Sequence, residues 1–314
     1  MKIDNCLLEK CIGTGAFSKV YVTKKEGDSK LYATKQYERD KIEKSLAMKY
    51  VKNEVTILQK LNHPNIVKFI DLKKTKNHFY IMMEYCNGGE LSKALENYEK
   101  KFGKPFNEEI VQYFMRQIIS AFKDIHNKRI IHRDIKLENF LLHYKNEQDK
   151  NDLNLMNSQI KIIDFGFSCI IDEGSLAHST VGNVINTDPL ILQKLFNKNK
   201  RKYRHLGYDQ KADIWSLGTI FYEMLTGKDI FDAEDLDEFI NKIETIKYTI
   251  PTTLSIEAIT FLNAMLQYEP NLRLDINKLE QHNFITKNVK DFNSINIKQV
   301  SHLLDKDKKN LIRS

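Results

Sequence analysis

Hydrophobic and polar residues change rhythm near Gly88-Gly89. Before that pair, apolar residues fall in short runs broken by turn residues, the pattern of strands. Residues 6–12 are apolar-rich, Gly13-Thr14-Gly15 turns the chain, and Val20-Tyr21-Val22 resumes an extended pattern. Gly27-Asp28 turns it again before 31–35, and 66–85 predicts two more strands with their turn at 73–77. The exception is 43–61, where Val51, Val55, Leu58 and Leu61 share one helical stripe that ends at His63-Pro64-Asn65. Glu54 lies on that same stripe. Two readings stand side by side: a core-facing carboxylate paired with a cation such as Lys35, or a solvated residue at the stripe edge.

After the glycine pair the periodicity is mostly helical. Asn107 is placed to cap a helix whose first turn carries Glu108 and Glu109, and Ile110, Phe114, Ile118, Ala121 and Ile125 keep helical spacing up to Asn127. Residues 212–225 are apolar nearly all round, which predicts a buried helix, and 235–247, 255–267 and 275–282 predict three more. A short strand at 160–163 ends in Asp164-Phe165-Gly166. Residues 143–158 are polar and Asn-rich and predict an inserted mobile loop, whereas 167–192, with Ser168, Ser175, Ser179 and Thr180, predict a long functional loop. Strands gathered before the glycines and helices after them predict an α+β molecule of two lobes with a cleft between. The expected division is 1–84, a hinge at 85–89, 90–285, and a polar, weakly ordered tail at 286–314.

Composition narrows the setting. Of 314 residues 41% are hydrophobic, enough for an ordinary core. The four cysteines (Cys6, Cys11, Cys86, Cys169) lack metal-ligand spacing, which suits free thiols in a reducing compartment. No apolar run approaches the roughly 18 residues of a membrane span. The N-terminal residues form no signal peptide, Lys2 excludes myristoylation, and the C-terminus has no prenylation motif, so a cytoplasmic protein is expected. The net charge of +7 is spread along the chain. Its densest run, Lys198 to Arg204, has few aromatics among the bases, so nucleic acid is not expected as a partner.

The stretch 131–139, Ile-His-Arg-Asp-Ile-Lys-Leu-Glu-Asn, holds five ionisable residues between apolar flanks. Charges there are costly to bury unless each is paired or used. The residue types suit a catalytic loop, with Asp134 as a base, Lys136 as a fixed cation and Asn139 as an oxygen ligand for a hard metal ion. The segment 13–20, Gly-Thr-Gly-Ala-Phe-Ser-Lys-Val, lies between two antiparallel strands. That excludes a dinucleotide-binding turn or a P-loop, both of which need a helix after the glycines. Glycines at a hairpin tip still let backbone amides approach a phosphate.

In one order, the chain carries a glycine-tipped hairpin, a strand lysine, a helix glutamate, His-Arg-Asp-x-Lys-x-x-Asn and Asp-Phe-Gly. Together these resemble a eukaryotic protein kinase over about residues 7–285. The resemblance implies an ATP- and Mg²⁺-dependent enzyme that phosphorylates protein substrates, with the two lobes of that fold. It implies that Gly13, Gly15 and Ser18 cover the phosphates, Ser18 standing where a third glycine is usual. Ile12, Val20, Ala33 and Leu141 would contact the nucleotide, Met83 would be the gatekeeper, Glu84 and Cys86 would offer hinge backbone groups, and Glu90 would reach the ribose. Lys35 would hold the phosphates and pair with Glu54. Asp134 would accept the substrate proton, Lys136 would neutralise the transferring group, and Asn139 and Asp164 would ligate Mg²⁺. Lys136, two residues after Asp134, resembles serine/threonine rather than tyrosine kinases. Arg133 would receive a phosphate placed on Ser179, or on Thr180 as the near alternative.

The stretch 183–190 departs from the family pattern. Asn183 replaces a hydroxyl residue that usually tethers this loop, and Leu190 replaces the glutamate that usually pairs with the arginine matched by Arg273. Asp188, two positions earlier, is the candidate substitute. Asp-Pro-Leu-Ile-Leu and the helix around Asp213-Ile214-Trp215-Ser216 are similar to ULK-type kinases, with the calcium/calmodulin-dependent group as the second resemblance. The altered loop also admits an alternative, a pseudokinase-like ATP-binding scaffold with little or no transfer.

Overall fold

A computed structural model of the chain describes residues 1–15, 17–43, 47–172, 174–178, 185–196, 207–246 and 248–292. The first lobe contains strands β1 (Lys2–Ile3), β2 (Cys6–Thr14), β3 (Ser18–Lys25), β4 (Leu31–Glu38), β5 (Phe69–Lys74) and β6 (His78–Glu84). They pair antiparallel in the order β1-β2-β3-β4-β6-β5. Helices α1 (Arg39–Glu43) and α2 (Ala47–Leu58) follow β4. The stripe that defines α2 in the sequence, Val51, Val55, Leu58 and Leu61, is buried, and Glu54 is buried with it.

The second lobe contains α3 (Leu91–Phe102), α4 (Glu108–Asn127), β7 (Ile130–Ile131), β8 (Phe140–Tyr144), α5 (Glu147–Asn151), β9 (Ser158–Ile162) and β10 (Cys169–Ile170). It continues through α6 (Pro189–Phe196), α7 (Lys211–Thr226), α8 (Leu236–Glu244), α9 (Ile256–Met265), α10 (Ile276–Glu280) and α11 (Asn283–Thr286). The molecule is therefore an α+β fold of two lobes. The Asn107 side chain caps α4 by accepting from the Ile110 amide at 2.9 Å. All five residues of the predicted α4 stripe are buried, and each large side chain so buried contributes about 1.5–3 kcal/mol. Helix α7 is buried almost all round, with Trp215 stacked on Phe231 and Phe221 edge-on to Phe261 and Phe284.

Two sets of backbone bonds join the lobes. Val67 donates to Ile162 and Ile162 donates to Asn65, so the chain after α2 rides on β9. Gly88 and Gly89 exchange bonds with Leu142, and a Cβ on Gly88 would lie 2.7 Å from Leu142. The glycine pair is thus a close approach of two backbones and not a loose linker.

Three segments differ from their sequence reading. Residues 143–158 are the connection of the β8–β9 hairpin and contain α5. Asp149 accepts from Asn146, Asn154 and Asn157, so the asparagines that suggest a mobile loop instead close a small folded turn. Residues 189–196 form α6, with Pro189 at its first position, as the fixed φ of proline favours. The start of the tail is docked: Gln112 and Arg116 of α4 donate to the carbonyls of Phe284, Ile285 and Lys287, and Phe292 packs on Phe284. Residues 293–314 lie outside the described residues.

Candidate active site

Strand register places the first cluster. Lys35 on β4 lies opposite Val20 of β3 and Ile81 of β6. Its ammonium is 2.9 Å from Glu54 Oε1 and 3.3 Å from Asp164 Oδ1. The question left open by the stripe is answered: Glu54 is paired. Burial works against charge on Lys35, but Glu54, then Tyr37 and Asp164, outweigh it and hold the ammonium pKa well above its ordinary value. Burial likewise opposes charge on Asp164, yet Lys35 and the Gly166 amide keep its carboxyl below its ordinary value. Tyr37, two residues beyond Lys35 on the same face of the strand, donates its hydroxyl to Glu54 Oε2 at 2.8 Å. Sequence reading passed over Tyr37. Its signal was its position in the period-2 alternation.

The second cluster is the stretch 131–139. Asn139 Nδ2 donates to the backbone carbonyl and to Oδ2 of Asp134, at 2.7 and 2.9 Å. The Lys136 ammonium lies 3.2 Å from Asp134 Oδ2. Asp134 and Asn139 are both buried. The clusters meet where the Ile163 amide, just before Asp164, donates to the Asn139 carbonyl. Arg133 and Asp164 both have positive φ, 69° and 62°, a conformation uncommon for residues with a Cβ and concentrated at functional sites.

Asp213 of α7 holds this stretch from below. Its carboxylate accepts from the backbone amides of His132 and Arg133 at 2.9 and 3.0 Å and bonds His126 at 3.0 Å. The sequence signal was available, a carboxylate in the first turn of a helix apolar nearly all round, though not its direction. The Arg133 guanidinium donates to the carbonyls of Phe167 and Ser168 and to the hydroxyl of buried Tyr208. Ser179 and Thr180, the expected phosphate positions, lie outside the described residues, as do Asn183 and the basic run at 198–204.

The remaining predicted residues sit as follows. Gly13 pairs with Val20, and the Gly15 amide donates to Ser18 at the hairpin tip. Ile12 is exposed on β2. Ala33 pairs with Met83, and Glu90 bridges Leu141. The Glu84 carboxylate turns to β9, 2.7 Å from the buried Lys161 ammonium, a further tie between the lobes and one that sequence reading missed. Burial, with Glu84 adding to it, pushes the Cys86 thiol up to about 12, so it stays neutral.

The departure at 183–190 resolves in the described part. Asp188 Oδ2 forms a buried ion pair with Arg273, and Asp188 Oδ1 accepts from the Leu190 amide, capping α6. Arg273 also donates to the carbonyls of Gln267, Tyr268 and Lys211 and lies over the Trp215 ring. The carboxylate missing at Leu190 is therefore supplied two residues earlier.

Comparison with known proteins agrees with this geometry. Residues 7–285 match the protein kinase domain family. The chain is similar to serine/threonine-protein kinase apg-1 of Neurospora crassa, 29% identical over 91% of this chain and 32% of the relative. It is similar to human serine/threonine-protein kinase ULK1, 33% identical over 87% of this chain and 24% of the relative. A third relative is the probable serine/threonine-protein kinase nek2 of Dictyostelium discoideum, 32% identical over 89% of this chain and 62% of the relative. The chain thus spans less than two thirds of the length of each of these.

Proposed function

The chain belongs to the protein kinase domain family, as a serine/threonine kinase similar to the ULK type, and we propose that its cleft transfers the γ-phosphoryl group of ATP to hydroxyls of protein substrates. The observation that carries this reading is the Lys35 ammonium held within 3.3 Å of both Glu54 and Asp164. Lys35 meets the α- and β-phosphates, with Glu54 fixing it in place. Gly13, Gly15 and Ser18 form the loop over the phosphates, and Ile12, Val20, Ala33 and Leu141 take the base. Met83 is the gatekeeper, Glu84 and Cys86 lend hinge backbone groups, and Glu90 reaches the ribose.

Asp134 orients the substrate hydroxyl and accepts its proton. Lys136, 3.2 Å away, offsets charge that develops on the transferring group. Asn139 gives both Nδ2 hydrogens to Asp134, which leaves Oδ1 for a cation. Asp164 retains a charged carboxylate in the cleft. Two hard oxygen donors beside a triphosphate fit Mg²⁺, which keeps several waters and phosphate oxygens of its own. Bound there, the ion would neutralise phosphate charge. Such a site works through positioning and charge, with no covalent intermediate.

We assign 1–84 and 90–285 to the two kinase lobes, 85–89 to the hinge and 286–314 to the tail. A cytoplasmic location is favoured by four free cysteines. No described helix is long and apolar enough to cross a membrane. The Asp188–Arg273 pair takes away one of the two departures on which the scaffold alternative rested. The test is radiolabel transfer from ATP to a generic acceptor protein, with Asp134→Asn as control. Signal in the native chain and loss by about 10²-fold or more in the variant is expected; equal signal from both would sink the reading.

A further inference from the structure

Between β9 and β10 the chain runs through Asp164–Ser168 without helix or strand of its own, and the Gly166 amide of this segment lies 3.4 Å from Asp164 Oδ1. Four successive carbonyls there are held by two side chains from opposite sides. From α2, Asn53 Nδ2 lies 3.3 Å from the Phe165 carbonyl, 3.1 Å from that of Gly166 and 2.5 Å from that of Ser168. From below, Arg133 donates to the carbonyls of Phe167 and Ser168 at 2.6 and 3.2 Å. The Ser168 carbonyl is shared by both donors. One helical turn before Asn53, Tyr50 packs edge-on against Phe167 at 5.0 Å between ring centres. Asn53 immediately precedes Glu54, so the residue that grips this segment and the residue that fixes Lys35 sit on one short piece of helix.

We propose that Asn53 is a positioning residue that fastens the Asp164–Ser168 segment to α2, so that the placement of Glu54 and the orientation of Asp164 change together. The chemistry at the contact is specific. Three carbonyl oxygens converge on one amide nitrogen, and only a group with hydrogens to give suits them. A carboxylate of the same shape would set a negative oxygen against those dipoles. The kinetic side of the proposal rests on the phosphoryl-transfer reading. The structural side does not.

The test compares Asn53→Asp and Asn53→Ala with the native chain, by hydrogen exchange of the segment 163–170 without nucleotide and by kcat at saturating ATP and Mg²⁺. Exchange should rise in the order native, Ala, Asp, by about five- to tenfold at the first step for the lost hydrogen bond and further at the second for the repulsion between carboxylate and carbonyls. Over the same order kcat should fall while KM for a peptide substrate holds steady. Protection of α4 should stay native, which shows that the variants fold. If Asn53 merely fills space, the isosteric Asp variant will match the native chain and Ala will be worse, and that order overturns the proposal. Identical exchange in all three proteins also overturns it. Should the Asp variant lose α4 protection, Asn53→Ser against Asn53→Ala decides, because a hydroxyl donor should restore part of the protection and equal exchange refutes the clamp. If the native chain transfers no phosphate, the functional reading fails while the exchange measurements still judge the clamp.

Discussion

The stretches 131–139 and 186–190 both rest on α7, and each is held there through a buried carboxylate. In the first, Asp213 belongs to the helix and its partners include two neutral backbone amides, those of His132 and Arg133. In the second, Asp188 belongs to the stretch and its main partner is a full charge on Arg273, while Ser216 of α7 donates to the Asn186 carbonyl. The first stretch keeps every residue of the family motif. The second departs from it yet keeps the charge balance, because a buried guanidinium specifies that a carboxylate must arrive and says little about which residue brings it. Backbone amides specify more, since Asp213 can reach two of them only from one place on the helix.

The largest expected effect lies at the charged anchor. Asp188→Ala leaves Arg273 fully buried beside a cavity where its counter-charge was, and loss of one partner of such a pair costs about 3–5 kcal/mol. In a chain of this length that lowers the melting temperature by roughly 5–8 °C, readable by thermal or urea unfolding. Adding Leu190→Glu to Asp188→Ala sharpens the comparison, because it returns the carboxylate to the place the family commonly uses. Recovery of half or more of the lost stability is expected. If the double variant is no better than Asp188→Ala, position matters as much as charge at this anchor, and the contrast with Asp213 disappears.

The neutral anchor should respond less in stability and more in activity. Asp213→Asn keeps one acceptor oxygen and turns an NH₂ toward an amide that needs an acceptor. The loss of one hydrogen bond to a charged group is worth about 1.5–3 kcal/mol. Because the two amides lead directly into the positive-φ Arg133, kcat should fall more than tenfold while KM for ATP changes little. Unfolding and steady-state kinetics on the same preparation check both halves. A stability loss larger than that of Asp188→Ala would break the ordering.

What the sequence could reveal follows the same division. Helix α4 was readable because its cap and its apolar spacing are local properties. Glu54 was readable as unusual, a carboxylate on a buried stripe with Lys35 as a candidate partner, but that partner sits on another element and only the resemblance decided for pairing over a solvated stripe edge. Asp188 was readable because Arg273 needed a carboxylate, and Asp188-Pro189 also carries the local signature of a helix start, which the long-loop reading of 167–192 overrode. Tyr37, Asn53, Lys161 and Asp213 were missed because each acts on a residue far away in the chain, through direction and distance that no spacing encodes. The asparagines of 143–158 misled for the opposite reason: their composition suits a loop, and what folds them is one acceptor, Asp149.

The smallest expected effect concerns a second carboxylate on α7. Glu223 lies nearly three turns beyond Asp213 on a helix of 3.6 residues per turn. It is only partly exposed, and the charges that act on it most are the acids Asp229 and Glu138. Burial first, then those two neighbours, push its carboxyl up to about 8. The folded value lies above the unfolded one, so between the ordinary carboxylate range and about pH 8 the folded chain holds a proton that the unfolded chain has released. Stability from this group is present at the acid end of that window and is lost as pH rises through it. Glu223→Gln removes the proton and with it the slope. Melting temperatures from pH 5 to pH 8.5 should show the native chain losing ground to the variant as pH rises, with the gap widest at the alkaline end. Parallel curves would mean that Glu223 stays charged throughout, and that burial on α7 is tolerated without the donors on which Asp213 depends.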